Sequence, residues 1–307
     1  MKPSQSLFID IRGLRYHIRS WGRVGAPKLF MLHGYSDVSA SFQFVVDALQ
    51  GDWHVLSPDW RGYGETHDVR ADTFWYPDLY GDLDAVLRHF QPDEPVDLLG
   101  HSMGANVASV YAGLRPERIS RLINVEGWGL AVTSPEDQPK RYRKWLDHLR
   151  EDPPGKEYES FEDLTARVRR KEPRLNEERG AFIARHWGRM NAHGKVELAT
   201  DPALQAYWVN PLRYRHDEVT ACWSLVTAPV LWVHALDTRI PKAMSIDPEG
   251  MVSRKACFRH RTDVLMPDTG HMVHLERPEE LAVHIEKFLA DTPRRSAAAS
   301  GDGTTQA

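Results

Sequence analysis

The chain has 307 residues, 41% of them hydrophobic and 27% charged, which suits one large α/β domain or two smaller units and excludes disordered and collagen-like classes. Lys and Arg number 39 against 43 Asp and Glu, a net charge of −4 with no long single-sign block, so nothing points to nucleic acid. No run reaches the roughly 18 apolar residues of a spanning helix, and the first residues lack the apolar centre of a secretion signal, so no membrane span and a cytoplasmic location are expected.

Short apolar runs rich in β-formers predict an opening hairpin from residues 7–12 and 14–20, broken at Gly13, and then buried strands over 28–32, 53–57, 96–99 and 121–125. Between them, 39–50, 74–90 and 103–113 carry helical spacing. That alternation is expected of an α/β fold with a mostly parallel sheet flanked by helices. It stops at Gly127-Trp128-Gly129 and resumes with strands over 230–234 and 262–266 and a final helix over 278–290. Pro278 suits the first turn of that helix, and Leu281, Ile285, Phe288 and Leu289 give it one apolar face.

These breaks divide the chain into a core in two parts, 1–129 and 228–292, a helical cap over 130–227, and a disordered tail over 293–307. The inserted segment mixes 17 Lys or Arg with 16 Asp or Glu and has few β-branched runs. Its Trp145, Trp187, Trp208 and Trp223, with Tyr142, Tyr158, Tyr207 and Tyr214, either line one side of a pocket or form the insertion's own core. Trp187 and Trp208 are taken as substrate-binding candidates. The tail is too poor in apolar residues to order itself.

The chemistry concentrates where the strand over 96–99 runs into Gly100-His101-Ser102-Met103-Gly104 and a helix. A serine on that sharp strand-to-helix turn is pushed out above the sheet, and its flanking glycines let backbone and helix approach. Ser102 is therefore the candidate nucleophile. A serine hydroxyl needs a base within reach. Gly270-His271, after the last strand, puts His271 on a loop at the sheet's carboxyl edge, where sites in open α/β sheets form. His101 and His274 are set aside, the first because an adjacent side chain on a sharp turn points elsewhere, the second because no glycine frees its loop.

A carboxylate must orient the imidazole, and two are available. Asp237, after the strand over 230–234, gives the chain order Ser, Asp, His and is preferred; Glu126, at the end of the strand over 121–125, is the alternative. Backbone N–H groups of Tyr35, after His33-Gly34, and of Met103, at a helix N-terminus, are the candidate oxyanion donors. The chain holds no G-x-x-x-x-G-K-[ST], H-E-x-x-H or G-x-G-x-x-G, and its two cysteines, Cys222 and Cys257, cannot build a disulfide framework or a cysteine-rich zinc site. No cofactor and no metal are expected. Arg61 either holds a substrate carboxylate or makes a structural ion pair.

Taken together, His33-Gly34, Pro58-Asp59-Trp60-Arg61-Gly62-Tyr63-Gly64, Gly100-His101-Ser102-Met103-Gly104, Asp237 with Pro241, and Gly270-His271 resemble the α/β-hydrolase superfamily in its capped branch, over roughly residues 7–290. The Asp-x-Arg-Gly-x-Gly stretch and Glu126 resemble the haloalkane dehalogenase and epoxide hydrolase side. Those enzymes carry an aspartate nucleophile where this chain has Ser102, which argues against both activities. The resemblance implies a serine hydrolase close to the serine hydrolase-like esterases: a carboxylic ester hydrolase acting through an acyl-enzyme on a small to medium ester. It also allows a carbon–carbon bond hydrolase of dienoate ketones, or a hydrolase-like ligand receptor or signalling protein. The expected partner is a small-molecule substrate, and the oligomeric state is left open.

Overall fold

The computed structural model describes residues 1–67, 74–150, 155–205 and 211–295. The opening strands, β1 (Ser4–Ile11) and β2 (Leu14–Trp21), pair antiparallel around the two-residue turn Arg12-Gly13, whose φ values are +48° and +78°. Positive φ at both central residues gives the turn that matches strand twist, and Gly13 adopts it freely. The next four strands are buried almost throughout: β3 (Lys28–Leu32), β4 (His54–Pro58), β5 (Val96–His101) and β6 (Ile119–Val125).

After β6 the chain leaves the sheet and makes a small antiparallel sheet of its own. This consists of β7 (Glu157–Tyr158), β8 (Gly188–Met190) and β9 (Val196–Leu198), in the order β7-β9-β8. It returns with β10 (Val230–Ala235) and β11 (Arg261–Met266). The main sheet has eight strands in the order β1-β2-β4-β3-β5-β6-β10-β11, parallel from β4 onward. β5 is interior, so its carboxyl end opens onto the middle of one edge.

Helices cover both faces, as buried parallel strands require. The first are α1 (Gln43–Ala48), α2 (Tyr76–Phe90) and α3 (Met103–Leu114). The insertion supplies α4 (Gln138–His148), α5 (Phe161–Lys171), α6 (Glu177–Trp187), α7 (Pro202–Gln205) and α8 (His216–Ser224). The rest are α9 (Ile240–Ala243), α10 (Pro248–Ala256), α11 (Val273–Glu276) and α12 (Pro278–Asp291). Strand residues alternate between the two layers: Phe30, Leu98, Leu122 and Trp232 pack toward α2 and α3, whereas Leu29, Leu99, Ile123 and Leu231 pack toward α1 and α12.

Three sequence expectations change. Residues 39–50 do not form one helix, because a 3-10 turn over Ser39–Phe42 precedes α1. The insertion is not purely helical, since its strands of two and three residues are too short to show alternation. Trp223 belongs to the core, fully buried against Phe258. Of the expected tail, Arg294 and Arg295 are described and bond to Pro95 O and Ser120 Oγ, while residues 296–307 lie outside the described residues. No helix among the described residues is long and apolar enough to cross a membrane.

Candidate active site

At the end of β5 the chain reverses into α3 through Ser102, whose φ of +51° and ψ of −115° are unfavourable for an L residue. The turn closes because its neighbours lack side chains: a Cβ on Gly100 would lie 2.4 Å from Gly104 O, and one on Gly104 would lie 2.2 Å from Leu32 O. The Ser102 N–H donates to Val125 O at 2.9 Å, fastening the turn to β6.

Ser102 Oγ lies 3.0 Å from His271 Nε2, and His271 Nδ1 lies 3.2 Å from Glu126 Oε2. An ionised carboxylate only accepts, so the imidazole proton resides on Nδ1 and the Nε2 lone pair faces the serine hydroxyl. Glu126 follows β6 directly, with a φ of +58°, and is buried. Its Oε1 accepts from the Ala235 N–H at 2.8 Å and from Trp128 Nε1 at 3.4 Å, and its Oε2 accepts from the Thr238 hydroxyl. The carboxylate is therefore held by β10 and the loop after it.

Asp237, the acid preferred from sequence, is not brought to His271. Its carboxylate is 43% exposed and accepts from Arg174 at 2.6 Å. The correction has a local cause. Asp237 lies two residues beyond β10, and its backbone N–H donates to Thr269 O at 3.0 Å. Chain order placed it on the right loop without fixing which way the side chain turns.

Gly34 explains how a loop comes close to Ser102: a Cβ there would sit 3.2 Å from Ser102 Cβ and 3.0 Å from His101 Nδ1. Tyr35 follows on that loop, its hydroxyl bonded to Leu204 O in the insertion. Met103 is the first residue of α3, where helical N–H groups have no intrahelical acceptor. Beneath the loop, buried His33 accepts from the Trp60 N–H through Nε2 at 3.0 Å, leaving Nδ1–H to donate to Gly34 O at 2.8 Å. Burial pushes its pKa below the usual histidine value, keeping the ring neutral.

Sequence reasoning missed a second buried grouping. Asp37 Oδ2 receives His274 Nε2 at 3.2 Å, the His274 and His101 rings lie 4.2 Å apart, and His101 Nε2–H donates to the His271 carbonyl at 2.9 Å. Burial opposes the Asp37 charge, but His274, His33 and Ser41 outweigh it and hold the carboxyl below its ordinary value. Among the described residues, Asp37, His101 and His274 also bring donor atoms within 4.8 Å of one another, close enough for a shared metal ion. A pairing across 237 residues leaves no local sequence signal.

Trp187 directs its indole N–H to Asp37 Oδ1 at 2.9 Å, and Trp208 lies outside the described residues. Tyr142 and Tyr214 line a cleft of about 750 Å³ together with Tyr76, Tyr80, Val110 and Leu130. Its wall includes none of Ser102, His271 or Glu126. Arg61 grips buried Asp82 with two bonds of 2.6 Å, so the structural alternative for it holds.

A serine, a histidine and a buried carboxylate in sequence at the carboxyl edge of such a sheet can carry out nucleophilic acyl chemistry. The chain belongs to the alpha/beta hydrolase fold family, whose sequence profile matches residues 27–278. It is similar to the serine hydrolase-like protein of Danio rerio, 24% identical over 295 residues that cover 93% of this chain and 89% of that protein. It is also similar to epoxide hydrolase 3 of Siraitia grosvenorii, 31% identical over 127 residues, 41% of this chain and 39% of that one. In shape it resembles the thioesterase domain from the curacin biosynthetic pathway, with a TM-score of 0.83 and 23% identity over 93% of this chain and 99% of that domain.

Proposed function

We propose that the chain is a serine hydrolase that cleaves small to medium carboxylic esters through an acyl-enzyme, without a cofactor. The observation that carries this reading is the continuous contact from Ser102 Oγ through His271 to Glu126 at 3.0 and 3.2 Å. Similarity along nearly the whole chain to a serine hydrolase-like protein agrees with it.

In this mechanism Ser102 Oγ attacks the ester carbonyl carbon while His271 Nε2 takes the hydroxyl proton. The carbonyl electron pair moves onto oxygen, which the N–H groups of Tyr35 and Met103 hold. Collapse breaks the bond to the alcohol oxygen, which leaves with the proton from His271. Water then attacks the acyl carbon as His271 accepts its proton, and that proton returns to Ser102 as the acid departs. Glu126 keeps Nδ1 protonated and stabilises the imidazolium formed in each half-reaction.

The described parts of the insertion, within residues 130–227, act as a cap over this edge. Arg174, Trp187 and Leu204 in that segment already bond to Asp37, Tyr35 or Asp237 in the core. A carbon–carbon bond hydrolase would ask for a cation at the substrate carboxylate, whereas Arg61 and Arg174 are both paired with protein carboxylates. The test is a series of p-nitrophenyl esters from acetate to laurate. Wild type is expected to turn over the shorter members, and Ser102→Ala to lose several orders of magnitude; equal rates for the two proteins would overturn the assignment.

A further inference from the structure

The Asp37 carboxylate is buried, and its hydrogen-bond donors come from three separate parts of the chain. Val38 N–H, at 2.9 Å, and the Ser41 hydroxyl belong to its own segment. His274 Nε2, at 3.2 Å, comes from α11, three residues after His271. Trp187 Nε1–H, at 2.9 Å, comes from the last residue of α6 in the insertion. A buried carboxylate is tolerated only when such donors surround it, so moving any one of them disturbs the others.

The loop that Asp37 fixes is the one carrying Tyr35. Gly34 begins it, close enough to Ser102 and His101 that an added Cβ would make contacts of 3.0 to 3.2 Å. His274 extends the connection: its ring packs on His101, and His101 Nε2–H holds the His271 carbonyl. One carboxylate thus links the insertion, the Gly34–Asp37 loop and the backbone of the catalytic histidine. Trp187 is half-buried, and a phenyl ring would fill a pocket wall nearly as well as an indole. What phenylalanine cannot supply is the N–H.

We propose that Trp187 is a positioning residue for catalysis: its N–H, through Asp37, couples docking of the insertion to placement of the Tyr35 N–H beside Ser102. This rests on Ser102 and Tyr35 acting as proposed above. It replaces the sequence expectation of Trp187 as a specificity wall, and the two roles have opposite kinetic signatures. A wall residue changes discrimination between short and long substrates and spares the small ester. A residue that positions an oxyanion donor lowers turnover of every ester, because the lost interaction is made in the transition state.

The test is Trp187→Phe, assayed on p-nitrophenyl acetate and p-nitrophenyl octanoate, with rates normalised to Ser102 titrated to completion by a fluorophosphonate so that any unfolded fraction drops out. The proposal expects kcat to fall about 10- to 100-fold on both esters, with KM within about threefold and the ratio of the two kcat/KM values unchanged. Acetate turnover within twofold of wild type, or a loss confined to octanoate, overturns it. If fluorophosphonate fails to label Ser102 in wild type, the hydrolase reading itself has failed, an outcome separate from failure of the role given to Trp187.

Discussion

His271 meets Glu126 at 3.2 Å across 145 residues of chain, while Asp237, from the loop after β10, turns away to Arg174 at 2.6 Å. The two carboxylates therefore have different consequences when neutralised. An amide at position 126 can donate to Nδ1, favouring the tautomer whose proton sits on the nitrogen facing Ser102. In a serine protease the corresponding exchange costs about four orders of magnitude in turnover. Glu126→Gln is expected to lower kcat by about 10³ to 10⁴, and Asp237→Asn by no more than about threefold, because it loses an exposed ion pair of small energetic weight. Steady-state kinetics on one activated ester decides between them; a reversed ranking would return the acid role to Asp237.

The approach of the Gly34 loop to Ser102 yields a second expectation. In Gly34→Ala the new methyl would lie 3.0 Å from His101 Nδ1 and 3.2 Å from Ser102 Cβ, tighter than ordinary contacts. One side of the contact has to give by a few tenths of an ångström, and we expect the loop to shift and carry Tyr35 with it. Loss of one oxyanion donor costs about 10²- to 10³-fold in turnover. We expect kcat to drop by about that factor with KM little changed, and wild-type kcat in this variant would remove Tyr35 from the mechanism.

Chloroalkanes and epoxides test the nucleophile from another side. Dehalogenation and epoxide opening through a covalent ester intermediate need a carboxylate nucleophile, and Ser102 occupies that position. Neither halide release nor diol formation above background is expected. Product proportional to enzyme and abolished in Ser102→Ala would refute this.

Stability should fall on mild acidification. Burial holds His33 below the ordinary histidine value, aided by His274 and opposed by Asp37 and Asp59. Protonating it would place a second donor against the Trp60 N–H. The unfolded chain binds that proton as pH falls through about 6.5, before the folded chain can, so the contribution is complete above that pH and drains away below it. Urea midpoints should decrease from pH 7.5 to 5.5. In His33→Gln the dependence of unfolding free energy on pH should shrink by up to about 1.4 kcal/mol per pH unit. An unchanged slope would show that His33 does not titrate differently on unfolding.

Much of this architecture was legible because it is local. Residues 28–32 form β3 and Met103–Leu114 forms α3, since apolar runs, helix periods and the glycine at 100 act over a few residues. The serine and histidine that meet at the site were likewise marked by their own turns. The partner of His271 was not, because both carboxylates follow core strands and only the tertiary hydrogen bonds from Ala235 and Thr238 aim Glu126 inward. The pairing of Asp37 with His274 stayed hidden for the same reason, and β7 to β9 were too short to carry a period.

Mapping a covalent adduct addresses the central claim most directly. Wild-type protein treated with a stoichiometric fluorophosphonate, digested and sequenced by mass spectrometry should carry one phosphonyl group, on the peptide containing Ser102, with labelling tracking the loss of ester hydrolysis. Glu126→Gln should label far more slowly, and Ser102→Ala should not label there at all. Modification of a different serine in step with lost activity, or full inactivation with Ser102 unmodified, would contradict the assignment of Ser102, His271 and Glu126 as the reacting unit.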